Sequence, residues 1–236
     1  MSTRRPPLAA FAPSSRGRLT EHDLGRFTGA TLFDRIARAV CAARCLPRKE
    51  LYEAWEMARR VRRVLRGGRI VDLGAGHGLL GQIMLLLDAS SPSALLVDPV
   101  LPASAAKVHA ALAASWPRLS SRVTFVAAEV HEVALEPTDV VVSCHACGGL
   151  TDRILERAID ARARVAVLPC CHDVGTCVTG ELTGWMERAL AIDVERVHRL
   201  RQAGYRVRTQ AIPSTITPKN RLLVGAPPGG DGEAET

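Results

Sequence analysis

The chain has 236 residues, 47% of them hydrophobic, with a formal net charge of +7. That is enough for one sizeable core with tails, and too apolar for a chain that stays unfolded. No apolar run approaches the roughly 20 residues of a membrane span, and the opening MSTRRPPLAAFAPSSRGR lacks the unbroken apolar core of a secretory signal. Seven cysteines, an odd count with Cys170 beside Cys171, argue against a disulfide framework, so the expectation is a cytoplasmic protein with reduced thiols and no membrane partner.

Residues 1–26, rich in Pro, Ser and Arg, read as a flexible basic arm and residues 227–236 as an acidic flexible tail, leaving 27–226 for one domain. The two tails largely cancel in charge, so the folded part keeps the excess, a surface compatible with RNA but not diagnostic of it. Thr31 to Cys45 carries Leu32, Phe33, Ile36, Val40 and Cys41 at helical spacing, and Arg48 to Arg66 carries Leu51, Trp55, Ala58, Val61 and Leu65. These predict two helices before the first strand. The second ends in Arg59, Arg60, Arg62, Arg63 and Arg66, a run that serves as a solvated face or as a phosphate contact.

Next comes RIVDLGAGHGLLG, Arg69 to Gly81: an apolar run, a glycine turn, then helix formers to Leu87. Glycines allow a tight turn and close approach to a ligand, and the helix start offers unpaired N–H groups. Asp72 lies in the strand, and the next strand ends at Asp98, placed to accept hydrogen bonds from a ribose diol. From here strands and helices alternate, with strands expected near Ile70–Leu73, Leu95–Asp98, Val123–Ala127, Asp139–Cys144, Arg164–Leu168, Tyr205–Ala211 and Arg221–Gly225, and a helix over Ile192–Ala203. The connection between the last two strands is too short for a helical crossover, so they should pair antiparallel.

DLGAGHG followed by LLVD resembles motifs I and II of the class I S-adenosylmethionine-dependent methyltransferases. The resemblance implies a Rossmann-like α/β fold with a seven-stranded, mostly parallel sheet and a C-terminal antiparallel hairpin, preceded here by the two helices. It implies S-adenosylmethionine as cofactor, held by Asp72, Gly74, Ala75, Gly76, Gly78 and Asp98. Glu129, just after the third strand, is either an adenine neighbour or a solvated loop acid, and His77 a helix-entry or cofactor-edge residue.

Two segments narrow the family. Cys144-His145-Ala146-Cys147-Gly148-Gly149-Leu150-Thr151-Asp152 follows the fourth strand and Pro169-Cys170-Cys171-His172 the fifth, which should bring both to the carboxyl edge of the sheet. HACGGLTD with PCCH resembles the methyltransferase group that includes acceptor-stem tRNA 2′-O-methyltransferases, methyltransferase-like proteins and a methyltransferase domain fused to a glutathione-transferase-like C-terminal domain. The likeness runs from about Arg48 to His172. The cysteine/histidine zinc module that flanks the tRNA enzymes is not found, and Asp173 to Ala191 does not match them.

His145, Asp152, Cys171 and His172 are therefore the candidate catalytic residues on the acceptor side, the histidines for positioning or proton removal and Asp152 to orient a donor or fix a tautomer. Cys144, Cys41 and Cys45 read as packing. No metal is expected, because the spacing lacks a second Cys-x-x-Cys and methyl transfer from a sulfonium needs none. The functional expectation is methyl transfer to an O or N acceptor, with RNA leading. A protein side chain, a small molecule, or S-adenosylmethionine or RNA binding without turnover are the alternatives.

Overall fold

The computed structural model describes residues 11–173 and 175–229. Two helices, α1 (Leu32–Ala43) and α2 (Arg48–Val61), precede β1 (Ile70–Leu73), α3 (Leu79–Leu87), β2 (Ala94–Asp98), α4 (Ala103–Ser115) and β3 (Val123–Ala127). Then come β4 (Val140–Cys144), α5 (Gly149–Asp160), β5 (Arg164–Leu168), α6 (Arg188–Gln202), β6 (Arg206–Ala211) and β7 (Arg221–Ala226). The seven strands form one sheet in the order β3-β2-β1-β4-β5-β7-β6. β1 to β5 are parallel, while β7 runs antiparallel to both β5 and β6.

Side chains alternate across the sheet with the period of two that a strand imposes. Ile70, Leu96, Val140, Val142, Ala166 and Val224 enter a core shared with α1 to α4. Val71, Leu73, Val97, Val141, Val165 and Leu223 enter a second core with α5 and α6. The strands in the middle read as continuous apolar runs because both faces are covered. Strand order reverses between β1 and its neighbours β2 and β4, which opens a crevice at the carboxyl ends of these strands.

The first part of the chain departs from the expected flexible arm. Leu19 is fully buried and donates its N–H to the Leu46 carbonyl at 2.9 Å, Arg18 bridges to Pro47, and a short 3-10 turn covers Glu21–Arg26. Phe11 packs edge-on to Phe27 at 5.7 Å and lies under the Arg48 guanidinium. Composition hid this because Phe11, Leu19 and Phe27 are too widely spaced to show a period. Residues 1–10 of the expected arm, and 230–236 of the expected acidic tail, lie outside the described residues.

Element ends differ modestly. α2 stops at Val61, five residues short of the expected end, although Leu65 still reaches the core. α6 begins at Arg188, where the Glu187 side chain accepts hydrogen bonds from the Ala189 and Leu190 N–H groups, an N-cap the apolar period did not reveal. Among the described residues, no helix is long and apolar enough to cross a membrane.

Candidate active site

After β1 the chain reverses on main-chain bonds. The Val97 carbonyl accepts from both Gly74 and Ala75 N–H at 2.9 Å, and Gly78 N–H donates to the Ala75 carbonyl at 2.8 Å. Gly76 N–H donates to Asp98 Oδ2 at 2.9 Å, joining the turn to the end of β2, while Asp98 Oδ1 accepts from Val100 N–H at 3.1 Å. Gly76 has φ +52°, and a Cβ there would meet nothing within 4 Å, so the space beside it is open. Gly78 is glycine for the opposite reason: at φ +70° its Cβ would lie 2.6 Å from Leu96 and 2.9 Å from Phe125. Gly76 thus leaves its flank open, whereas packing leaves no room for a side chain at Gly78.

Asp72 is buried beneath the turn, where its Oδ2 accepts the Gly81 N–H at 3.0 Å. Burial pushes its carboxyl up to about 7, against the lowering effect of that hydrogen bond.

A cavity of about 220 Å³ opens onto Gly74, Ala75, Gly76 and His77. Its other wall is α2, through Glu50 and Ala54, and the end of β4, through Cys144 and His145. His77 Nε2 pairs with Glu50 Oε2 at 2.7 Å, and His145 Nε2 lies 3.0 Å from Glu53 Oε2. Lys49 Nζ donates to the other Glu53 oxygen at 2.6 Å. Glu53 is 1% exposed, and its contact with His145 is an ion pair by distance that lacks the alignment of a hydrogen bond. Burial opposes ionisation of Glu50 and Glu53, yet the histidines hold both carboxyls below the ordinary range. The His145 imidazole is held above its ordinary range, by Cys144 first and against burial. Burial pushes the Cys144 thiol up, and the neighbouring Cys170 and Glu53 side chains add to the rise on His145.

Glu50 and Glu53 were not singled out from the sequence. The signal was present: Glu50, Glu53, Ala54 and Met57 fall at i, i+3, i+4 and i+7, so two acids share the stripe of α2 that faces the sheet.

The turns after β4 and β5 are built from side chains. His145 follows β4 at φ +76°, a left-handed conformation rare for a residue with a Cβ, and Gly148 comes three residues later at φ +55°. Cys147 pairs with Cys171 as an isolated parallel bridge, and Gly148 N–H donates to the Cys171 carbonyl at 3.2 Å. The buried Thr151 hydroxyl donates to the Ala146 carbonyl at 2.7 Å and closes the loop.

Asp152 takes both oxygens to Arg196, at 2.9 and 2.8 Å, and Arg196 also donates to Asp193 and the Gly148 carbonyl. Burial opposes it, but this pairing holds the Asp152 carboxyl below its ordinary range. The His172 side chain is 4% exposed, with Nε2 2.8 Å from Asp193 Oδ1. Of the four expected acceptor-side residues, then, only His145 lines the cavity; Asp152 and His172 belong to the Arg196–Asp193 network, and Cys171 is exposed among thiols. Glu129 is an exposed residue whose N–H donates to Glu132, and it does not line the cavity.

The strand order with its reversed β7, and a glycine turn tied to an acid at the end of β2, define a class I methyltransferase whose cofactor is S-adenosylmethionine. The open space at Gly76 and the acidic groups Glu50 and Asp72 in the cavity wall suit a cofactor that carries an ammonium and a sulfonium. A family model described as a methyltransferase domain matches residues 49–174, and the chain belongs to that family. The glutathione S-transferase C-terminal domain-containing proteins of Homo sapiens and Macaca fascicularis are each 24% identical to it over 197 aligned residues. The alignments cover 68% of this chain, which spans about 30% of the length of those relatives. Among solved structures, an O-methyltransferase family protein from Burkholderia thailandensis superposes with a TM-score of 0.50 at 17% identity, covering 91% of this chain and 65% of that one. The pyocyanin biosynthetic protein PhzM does so at 0.51 and 18% identity, covering 87% and 61%. At these identities the structures speak to the fold.

Proposed function

We propose that this protein transfers a methyl group to an oxygen or nitrogen acceptor presented beside His145. The observation that carries the reading is the His145–Glu53 pair, which sets a polar, charge-balanced imidazole in the wall of the cavity beside the glycine turn. Bound S-adenosylmethionine supplies a methyl group already activated by its sulfonium, so the chain's task is alignment. Gly74, Ala75 and Gly76 allow close backbone approach, the Asp98 carboxylate meets the ribose diol, and Glu50 sets negative charge against the ammonium. Gly78 and Asp72 keep the turn in shape beneath them. His145 orients the acceptor, Glu53 fixes the ring, and Asp152 and His172 support the loops from behind. Cys171, exposed at the same sheet edge, borders the acceptor side. Glu129 lies toward the adenine end, beyond β3.

RNA is the acceptor class toward which the HACGGLTD and PCCH resemblance points. The arginine run on α2 adds little to that choice, because Arg59 and Arg60 are both paired with Glu56. A small molecule is the competing acceptor.

Tritiated methyl transfer from S-adenosylmethionine into separated RNA, protein and metabolite fractions identifies the acceptor. With that acceptor in hand, His145→Ala and Glu53→Gln should each lower turnover roughly a hundredfold while leaving cofactor affinity nearly unchanged. Parental turnover in both variants would move the acceptor away from this wall.

A further inference from the structure

Three thiols meet where the loops after β4 and β5 touch. Cys147 Sγ lies 3.4 Å from Cys170 Sγ and 3.5 Å from Cys171 Sγ, and the last two are 3.7 Å apart. All three are free cysteines. We propose that Cys147, Cys170 and Cys171 form a three-thiolate binding site for a zinc ion.

Geometry carries the assignment. Zinc takes thiolates at about 2.3 Å in a tetrahedron, whose edges are then about 3.8 Å. The three sulfur separations approach one triangular face of that tetrahedron, so an ion seated above it requires only a few tenths of an ångström of outward movement. Packing alone does not account for the arrangement: Cys147 and Cys171 are exposed, so burial of apolar surface is not what drives these sulfurs together.

The face is held by its supports. The Cys147–Cys171 bridge and the Gly148 N–H to Cys171 carbonyl bond fix the two loops against each other. Thr151 and Arg196 hold the Cys147 loop from behind, through the Ala146 and Gly148 carbonyls. His145 neighbours Cys170, but among the described residues no fourth His, Cys, Asp or Glu offers an atom within 4.8 Å of all three sulfurs. The fourth position is left to water or a ligand atom, the coordination pattern of zinc sites that keep an open position. The expectation of no metal came from linear spacing, and this site has none to read: one ligand comes from one loop and an adjacent pair from another.

The test uses the full chain, purified with reductant, supplied with zinc and passed through gel filtration. Elemental analysis should find one zinc per chain in the parent, and Cys147→Ser, Cys170→Ser and Cys171→Ser should each lose it. A second measurement does not depend on variants that fold. Zinc should slow alkylation of these three cysteines by at least about tenfold, read by peptide mass spectrometry, while Cys45 alkylates at an unchanged rate. Zinc well below one per chain, together with equal alkylation with and without the ion, would overturn the site. So would a protein whose reduced thiols take up no zinc and form a disulfide among the three once the reductant is removed and air is admitted as oxidant.

Discussion

After β1 the chain turns on glycines held by main-chain bonds, whereas after β4 and β5 it turns on side chains: a strained histidine, a buried threonine, an arginine shared by two aspartates and three crowded thiols. The first turn is local, complete within Asp72 to Gly81 apart from Asp98 and the Val97 carbonyl. The second draws on α5, α6 and β5, with partners up to 48 residues apart in sequence. A main-chain turn tolerates change in its surroundings but not in its own glycines. A side-chain turn fails when a distant partner is removed.

The largest expected effect breaks the second construction. Arg196 is 1% exposed, so Arg196→Met leaves Asp152 and Asp193 without their shared cation and should destabilise the fold by about 3–5 kcal/mol in denaturant unfolding. S-adenosylmethionine affinity, measured where the variant is still folded, should stay within a few fold. Loss of that affinity would show that the two turns are not independent.

Next in size, Gly76→Val fills the open space beside the glycine turn and burdens a φ of +52°. Affinity for S-adenosylmethionine by calorimetry should fall by roughly a hundredfold or more, about 3 kcal/mol, without comparable loss of stability. Unchanged affinity would place the cofactor elsewhere.

Thr151→Val removes the hydroxyl that meets the Ala146 carbonyl while keeping the shape. It should lower stability by about 1–3 kcal/mol, and Thr151→Ser should restore most of it. Equal stability of the Val and Ser variants would mean that the loop is held by packing alone.

A further effect concerns pH. Asp72 titrates at about 7 in the folded chain and about 4 when unfolded, so between these values the native state holds the extra proton. Its contribution to stability therefore falls as pH rises from about 4 to about 7, and is constant outside that window. Asp72→Asn keeps an acceptor for Gly81 N–H and removes the titration. Melting temperatures of the two cofactor-free proteins should diverge in favour of the Asp72→Asn variant as pH rises through this window. Parallel curves would refute the burial argument.

Much of the fold was legible from local pattern. Ile70–Leu73, Val123–Ala127 and Arg164–Leu168 form strands with the expected bounds, because largely apolar runs of strand length leave little choice. The antiparallel hairpin of β6 and β7 followed from the shortness of its connection. The glycine turn was equally visible, since a main-chain turn advertises itself through the glycines it cannot do without. The paired acids of α2 were harder to see, because Glu50 and Glu53 follow the same spacing as the apolar stripe and look like surface residues until the helix is set against β4.

What the sequence by itself determined was therefore whatever depends on neighbours along the chain: the strand and helix periods, the parallel order with its closing hairpin, and the glycine turn with Asp98. Tertiary structure decided the partners. Asp152 and His172 carry the residue types of catalysis, yet Arg196 and Asp193, 44 and 21 residues away, claim them as supports. Glu53 became the partner of His145, and Cys147 met Cys170 and Cys171, only because β4 and β5 lie side by side beneath α2. Contacts of that kind arise from packing between elements, and no spacing along the chain encodes them.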